Sequence, residues 1–146
     1  MSILVDKNTR LLVHLPLVIP GPAGFRVGNE TRQWRLGEAW AFDDTIEHEA
    51  WNDADETRAI MIFDIWNPLL SAAERELVSA LQRALPEELA RNILAANIRD
   101  DGELVVLTSS PAWAAKLRFE ADALVSAARR TSAKVTVCKV RVRRDS

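Results

Sequence analysis

Short apolar stretches separated by turn-forming residues fill the first half of the chain. The stretch LLVHLPLVI at residues 11–19 is apolar except for His14, and this pattern predicts a buried strand. Pro and Gly in PGPAG, at residues 20–24, predict a turn. Further strands are predicted at residues 25–34, 38–42, 46–51 and 57–66, the first of them running into a loop. Short strands at this spacing predict a β-sandwich or jelly roll.

Helical spacing replaces the strand pattern after Pro68. Ser71 and Glu74 have the spacing of a capping box, in which the serine oxygen accepts from free N–H groups and the glutamate reaches back. Apolar residues then recur at helical intervals, at Leu77, Val78, Leu81 and Leu85. Pro86 is expected to start a second, short helix.

The remaining sequence predicts a hairpin, a long helix and a final strand. ANIRDDGELVVLT predicts two strands joined at Asp101-Gly102. Ser110 and Pro111 predict the N-cap and first residue of a helix over residues 111–130. KVTVCKVRVR, at residues 134–143, predicts the last strand. The expected order after Pro68 is therefore α-α-β-β-α-β, and the fold class of the whole chain is α+β.

Composition narrows the class of protein. Hydrophobic residues make up 48% of the chain, which is enough for a packed core. No apolar run approaches the length of a membrane span, so we expect a soluble, cytoplasmic protein with no membrane partner. The single cysteine, Cys138, excludes a disulfide framework and a cysteine-based zinc site, and its position in a strand predicts a buried, inert thiol.

The charge of the chain changes sign along its length. Residues 1–79 hold 7 Lys/Arg and 13 Asp/Glu, whereas residues 80–146 hold 12 and 8, so the net charge changes from -6 to +4. This asymmetry suggests two units with different partners, although solvated surface charge explains it equally well.

The stretch around His48 carries the candidate chemistry of the first half. His48 lies between two glutamates in FDDTIEHEAWNDADETRAIMIFDIWNP, and Arg58 follows inside an apolar run. In a hairpin across NDAD, both side chains can face the same way. An imidazole that binds a metal and a guanidinium that clamps a carboxylate suit an Fe(II) oxygenase with a 2-oxo acid cosubstrate. A core histidine with a solvated arginine is the commoner alternative.

Residues 8–76 resemble the C-terminal part of the aspartyl/asparaginyl β-hydroxylase family of 2-oxoglutarate-dependent oxygenases. The resemblance rests on NTRLLVHLPLVIP, RVGNETRQW, FDDTIEHEAWN and RAIMIFDIWNP. It implies a double-stranded β-helix, the cofactors Fe(II) and 2-oxoglutarate, and β-hydroxylation of an Asp or Asn side chain in a peptide or protein. It also implies that His48 is a metal ligand, that Arg58 pairs with the far carboxylate of 2-oxoglutarate, and that His14 contacts the cosubstrate. The motif with Asn29, Glu30 and Trp34 has no assigned role.

The sequence departs from this family at the second iron ligand. The family has a His-Thr-Gly motif where this chain has Ile3, and its jelly roll begins well before that point. Most enzymes of the wider class use two histidines and a carboxylate. Asp43 and Asp44 are possible substitutes, but FDD also fits a turn capped by Asx side chains, which we favour. We therefore expect a truncated jelly roll of doubtful oxygenase activity.

The second half carries a basic strand instead of a catalytic constellation. Alternation places Cys138, Val140 and Val142 on one face of the last strand and Lys139, Arg141 and Arg143 on the other, with Arg144 following. A basic strand face suits contact with a nucleic-acid backbone. A charged edge strand that prevents aggregation is the alternative.

Residues 80–143 resemble the DciA-type bacterial helicase-loader family, whose folded domain is similar to a KH domain. The resemblance rests on LPEELARNILAANIRDDGELVVLTSSPAWAAKLRF and the later VRVR. It implies an interaction module near DNA and a replicative helicase, without the Gly-x-x-Gly loop with which KH domains clamp RNA.

Two domains are therefore predicted, joined near residues 69–82. Residues 1–70 are expected to form a truncated β-hydroxylase-like jelly roll, and residues 80–146 a small KH-like module. The predicted function is a 2-oxoglutarate/Fe(II) dioxygenase domain of doubtful activity. The alternative is a non-enzymatic module that binds nucleic acid or a replicative helicase.

Overall fold

The computed structural model describes residues 8–143. They divide into two compact units, which we call the N-terminal unit (residues 10–67) and the C-terminal unit (residues 8–9 and 68–143). Ile3 and Arg144, which the sequence singled out, lie outside the described residues. No helix in the described range is long and apolar enough to cross a membrane.

The N-terminal unit consists of two antiparallel three-stranded sheets. Its strands are β1 (Arg10–Val18), β2 (Ala23–Val27), β3 (Glu30–Gln33), β4 (Trp40–Phe42), β5 (His48–Asn52) and β6 (Ala59–Trp66). One sheet has the strand order β4-β1-β6 and the other has the order β3-β2-β5. Phe25 on β2 and Trp34, which follows β3, pack with Trp40, Phe42 and Ile60 from the first sheet, so the core of this unit lies between the sheets.

Strand β1 is the central strand of its sheet, and both of its faces carry a buried side chain. Val13 and His14 point to opposite faces, and each is 6% exposed. His14 lies opposite Trp40 on one side and Ile62 on the other. The predicted strand is confirmed, but its burial only in part: Val13, His14 and Pro16 are buried, whereas Leu17 and Val18 are about half exposed.

The predicted hairpin between residues 46–51 and 57–66 is wrong. Both stretches form strands, but β5 pairs with β2 whereas β6 pairs with β1 in the other sheet. Packing explains the choice of partner. Trp51 lies opposite Gly24, and a Cβ atom at Gly24 would lie 2.1 Å from the Trp51 ring, so only glycine lets this indole sit against β2.

A second correction concerns residues 25–34, where one strand running into a loop was predicted. The structure has the hairpin of β2 and β3, with Val27 opposite Glu30 and a two-residue turn at Gly28-Asn29. Gly28 has φ +55°, a left-handed conformation that two-residue hairpin turns require and that glycine adopts without steric cost.

The C-terminal unit combines four helices with one three-stranded sheet. Its elements are α1 (Ala72–Arg83), α2 (Glu87–Ala90), β7 (Ala95–Ile98), β8 (Glu103–Thr108), α3 (Pro111–Phe119), α4 (Ala121–Ala128) and β9 (Val137–Val142). The sheet order is β7-β8-β9; β7 and β8 are antiparallel, whereas β8 and β9 are parallel. Helices α3 and α4 form the crossover between the parallel strands and contact β9.

Local signals in the sequence correctly predicted where most of these elements begin. The Ser71–Glu74 capping box is present at the start of α1, and the Ser110 side chain accepts from the Trp113 N–H at the start of α3. Gly102, at φ +86°, closes the β7–β8 hairpin, and its carbonyl accepts from the Thr136 N–H. A Cβ atom there would lie 2.3 Å from the Lys134 carbonyl oxygen.

The single long helix predicted over residues 111–130 is instead two helices. The chain breaks at Glu120, whose φ of -96° and ψ of 13° end α3, and α1, with 12 residues, is the longest helix described. Leu117 and Leu124 are both fully buried and lie two helical turns apart. An interval of seven residues fits one continuous helix and two consecutive helices equally well. The apolar pattern therefore could not reveal the break. The α+β class is confirmed, whereas the jelly roll and the KH-like module stay predictions.

Helix α3 offers a matched pair of residues for testing the core of the C-terminal unit. Leu117 is 0% exposed, whereas Phe119, two residues later, is 90% exposed. Leu117→Ala should lower the free energy of unfolding by about 2–5 kcal/mol because it leaves a cavity. Phe119→Ala should change it by less than about 0.5 kcal/mol. Denaturant unfolding followed by helical circular dichroism measures both; equal losses would show that α3 does not pack as described.

Candidate functional site

An aromatic cluster between the two sheets organises the candidate site of the N-terminal unit. We define this aromatic cluster as Phe25, Trp34, Trp40 and Phe42. The Phe25 ring stacks on Trp34 at 5.6 Å between centroids and meets Phe42 edge-on at 4.9 Å. Phe25 and Trp34 are 2% and 5% exposed, so both rings are buried. The polar side chains of the site, His14 and Arg58, pack against these rings.

His14 is buried directly against this cluster. Its ring centroid lies 5.0 Å from those of Phe25 and Phe42 and 6.1 Å from that of Trp34. Burial is the main cause that lowers the pKa of His14 below its usual 6.5, and the nearby His48 and Arg58 lower it further. The ring is therefore neutral at neutral pH. Its Nδ1 atom is buried and has no hydrogen-bond partner within the described residues.

Trp34 and Arg58 form the next part of the site. The guanidinium carbon of Arg58 lies 4.1 Å from the Trp34 ring centroid, and Nη1 donates to the Trp51 carbonyl at 2.8 Å. No salt bridge within the described residues involves Arg58. The indole Nε1 of Trp34 is buried and unpaired. The site thus combines Arg58, a cation without an acidic partner among the described residues, with two buried nitrogen atoms that lack hydrogen-bond partners, His14 Nδ1 and Trp34 Nε1.

His48 lies at the start of β5 and is exposed to solvent. Its ring centroid lies 5.2 Å from that of Phe42, and its Nδ1 lies 2.8 Å from the Ile46 carbonyl oxygen. Because a carbonyl oxygen only accepts, this contact places a proton on Nδ1, so Nε2 is the nitrogen through which the neutral ring would bind a metal.

The three candidates border the same aromatic cluster but are not arranged as predicted. His48 belongs to the sheet of β2, whereas Arg58 immediately precedes β6 in the other sheet, so the two are not on neighbouring strands. A cavity of about 330 Å³ opens beside the cluster, and none of the three candidates lines it. Its walls are Phe25, Val27, Gly28, Glu30, Arg32, Trp40, Ala41, Phe42 and Ile46.

The described residues do not supply an iron site. No three His, Cys, Asp or Glu side chains in residues 8–143 come together in a group that could hold a metal ion. Asp43 is used otherwise: its Oδ1 accepts from the Thr45 N–H at 3.0 Å and from the Thr45 hydroxyl at 2.5 Å, which is the Asx-type turn that the sequence favoured. His48 is therefore a single imidazole without further ligands in this part of the chain.

The C-terminal unit presents the predicted basic face on its edge strand. Val140 is buried and Cys138 is half-buried, whereas Lys139 and Arg141 are exposed, as alternation predicted. The sequence missed Glu103, whose side chain is only 13% exposed. Its carboxylate pairs with three cations: Lys139 at 2.8 Å, Arg99 at 3.4 Å and Arg141 at 3.9 Å.

Two further observations concern β9. Burial, together with the charge of Glu103, raises the pKa of the Cys138 thiol to about 11, so the thiol is protonated at neutral pH, although Cys138 is half-buried rather than buried as predicted. The Arg143 N–H donates to the Thr108 carbonyl at 2.9 Å, which extends the ladder between β8 and β9 by one bond.

Comparison with known families divides the chain at the same place as the fold. Residues 6–68 match the family described as aspartyl/asparaginyl beta-hydroxylase, and residues 67–142 match the family described as Dna[CI] antecedent, DciA. The second match covers just over half of the chain. Both family resemblances predicted from the sequence are thereby confirmed.

Curated relatives match the N-terminal half. The aspartyl/asparaginyl beta-hydroxylase of Mus musculus is 45% identical over 75 residues, which cover 51% of this chain and 10% of that protein. The ornithine lipid ester-linked acyl 2-hydroxylase of Rhizobium tropici is 44% identical over 69 residues, which cover 45% of this chain and 25% of that protein. The chain therefore spans between a tenth and a quarter of the length of these relatives.

Burial of His14 should make the stability of the protein sensitive to acid. The unfolded chain takes up a proton near the usual pKa of 6.5, whereas the folded His14 resists it because its pKa is lowered. The stabilising effect is complete above pH 6.5 and is lost as the pH falls towards the folded pKa, at up to about 1.4 kcal/mol per pH unit.

Denaturant unfolding at a series of pH values checks this expectation. His14→Gln should flatten the loss of stability between neutral and mildly acidic pH. The control His48→Gln keeps the buried ring and should retain most of that loss. If the wild-type chain and His14→Gln have parallel pH profiles, His14 is not a buried neutral group.

Proposed function

The chain belongs to the DciA family over residues 67–142, and we propose that it joins two binding functions. In this proposal the N-terminal unit binds 2-oxoglutarate through a pocket like that of the aspartyl/asparaginyl β-hydroxylases. The C-terminal unit contacts nucleic acid near a replicative helicase.

The observation that carries the first function is the set of unpaired polar groups around Trp34. His14 Nδ1 and Trp34 Nε1 are buried without a hydrogen-bond partner, and Arg58 is held over the Trp34 face without an acidic partner among the described residues. Leaving a buried polar group unpaired costs about 1–3 kcal/mol. A ligand that pairs with these groups recovers that free energy, and a carboxylate suits both an arginine and an indole N–H.

The ligand class follows from this charge together with the family. A dicarboxylic 2-oxo acid offers one carboxylate to Arg58 and Trp34, and its oxygen atoms accept from a neutral His14. The cation–π contact and the Trp51 carbonyl fix the guanidinium, so it loses little freedom when it binds. We propose this contact for His14 and Arg58, and we assign Trp34 the added role of an N–H donor.

The iron-dependent reaction of the family is not part of this proposal. His48 retains a free Nε2, which suits a metal ligand, but the described residues provide no partners for it. Without a complete donor set we expect binding of 2-oxoglutarate without hydroxylation of an Asp or Asn side chain.

The second function rests on the exposed cations of β9. Lys139 and Arg141 project from an edge strand, so an elongated polyanion can approach them without displacing other elements of the unit. Both cations are shared with Glu103, which makes the expected affinity low. Contact with a replicative helicase is proposed from the DciA family alone.

Finer fold assignments accompany these functions. Two antiparallel sheets packed across an aromatic core support our proposal that residues 1–70 represent part of a double-stranded β-helix. The antiparallel β7–β8 pair with a parallel β9 supports a KH-like module within residues 80–146. Helix α1 packs on α4 and β7, so we propose that this module begins with α1.

Ligand titration tests the carboxylate pocket. Wild-type protein should bind 2-oxoglutarate in the absence of iron, with saturable changes in tryptophan fluorescence or calorimetric heat. Arg58→Gln should weaken binding by roughly ten- to a hundredfold, because a charge-assisted contact contributes about 1.5–3 kcal/mol. Trp34→Phe keeps a ring under Arg58 but removes the N–H, and it should weaken binding severalfold.

Arg91→Gln is the matched control for this titration, because Arg91 is an exposed arginine of the C-terminal unit that pairs with Glu87, and its loss should leave binding unchanged. Equal affinity of wild type and Arg58→Gln would contradict the pocket. With Fe(II), ascorbate and a peptide substrate, we expect no peptide-dependent succinate. Turnover that His48→Ala abolishes would show that the chain completes an iron site.

Nucleic-acid binding has its own signature. The wild-type chain should bind DNA weakly, without sequence preference, and less tightly as salt rises, because phosphate neutralisation releases counterions. Arg141→Ala should weaken binding to all sequences alike and reduce the salt slope by about one. Lys116→Ala, which removes an exposed cation elsewhere in the unit, is the control. Salt-independent binding, or none at low salt, would contradict this function.

A further inference from the structure

Glu103 occupies an unusual position for an acidic residue on a face that is meant to bind polyanions. Its carboxylate lies within 4 Å of Arg99, which follows β7, and of Lys139 and Arg141, which both lie on β9. The Lys139 ammonium donates to Oε2 at 2.8 Å. Oε1 is buried and accepts no hydrogen bond within the described residues, although two guanidinium groups are near it.

We propose that Glu103 is an internal competitor for the phosphate backbone: it occupies the cations of the β9 face and sets the affinity for nucleic acid below what they would otherwise give. This inference rests on the proposed nucleic-acid function of the C-terminal unit. It assigns a role to a residue that carries no positive charge and touches no ligand itself.

Geometry keeps the carboxylate in place. Glu103 is the first residue of β8 and lies opposite Val137 in the parallel ladder, and its N–H donates to the Asp101 side chain at 3.0 Å. Only 13% of the Glu103 side chain is exposed, so turning it into solvent when a phosphate approaches would disrupt its packing. The cations are different: Arg99, Lys139 and Arg141 are 43–55% exposed, so their ends can turn from Glu103 to a ligand.

Charge determines the direction of the effect. Three cations and one carboxylate leave a local charge of +2, and removal of the carboxylate charge raises it to +3. A phosphate that binds here must first compete with an ion pair and then remain close to a fixed negative charge. Since the Glu103 side chain is largely buried, salt screens its repulsion less than that of a surface carboxylate.

Glu103→Gln removes this charge and keeps the shape of the side chain. Fluorescence anisotropy with a short, mixed-sequence single-stranded DNA should show affinity that is higher than that of wild type, roughly three- to tenfold at low salt, with a salt slope steeper by up to about 0.7. Glu88→Gln is the matched control. It deletes a carboxylate that pairs with Lys116 at 3.3 Å in the same unit, and so makes the same change in net charge at another place.

The outcomes separate the inference from the function on which it rests. If wild type binds and Glu103→Gln gains no more than Glu88→Gln, the effect is one of net charge and Glu103 is not a competitor. If neither wild type nor Glu103→Gln binds at low salt, both the function and the inference fail. Stronger competition by polyglutamate than by DNA would assign the face to an acidic protein surface and overturn the proposal.

Glu103→Asp tests whether a change in local structure, rather than the loss of charge, causes the effect. It keeps the negative charge but shortens the side chain, and so should leave affinity within about twofold of wild type if charge is the cause. Thermal unfolding of the full 146-residue chain shows whether each variant remains folded. A gain of affinity in Glu103→Asp equal to that in Glu103→Gln would show that loosening of β8, rather than loss of charge, is responsible, and would overturn the inference.

Discussion

The burial of Phe25 between two sheets is the contact on which the N-terminal unit depends. Phe25 lies on β2, yet its ring reaches Phe42 and Trp40 on β4 and His14 on β1 at centroid distances of 4.9, 6.1 and 5.0 Å. One side chain thus connects both sheets. The orientation of His14 follows from it, because the histidine ring is fixed by aromatic neighbours on both sides rather than by a hydrogen bond.

The two units use buried polar groups in opposite ways. Around Trp34, two buried polar atoms lack hydrogen-bond partners and Arg58 has no acidic partner among the described residues, so an anion would interact favourably there. On the β9 face, a carboxylate from the protein itself already pairs with the cations. A ligand therefore completes the first site but must replace an existing interaction at the second, and this difference explains why similar positive groups are expected to behave differently.

Sequence patterns revealed what is local and missed what is tertiary. Capping at Ser71 and the turn at Gly102 depend on residues close in sequence, and both were predicted correctly. The partner of β5 depends on the fit of Trp51 over Gly24, residues that are far apart in the chain, and a hairpin was predicted instead. The alternation in β9 identified its basic face, but the parallel pairing that brings Glu103 to it has no signal in either strand. For the same reason, His14, His48 and Arg58 were recognised as candidates while their distribution over two sheets was not.

The parallel β8–β9 pairing also has a consequence for folding, because the contacts between Glu103 and the basic face depend on it. Glu103 and Lys139 are 36 residues apart in the chain, and the contact between them requires α3 and α4 to have formed and crossed the sheet. Closing so long a loop loses chain entropy before any contact compensates for it, so such pairings form late in folding. During synthesis the β7–β8 hairpin is complete before Lys139 has been added. The Glu103 carboxylate is then without the Lys139 and Arg141 partners that it has in the folded chain, because both belong to β9, which is added to the chain after β8.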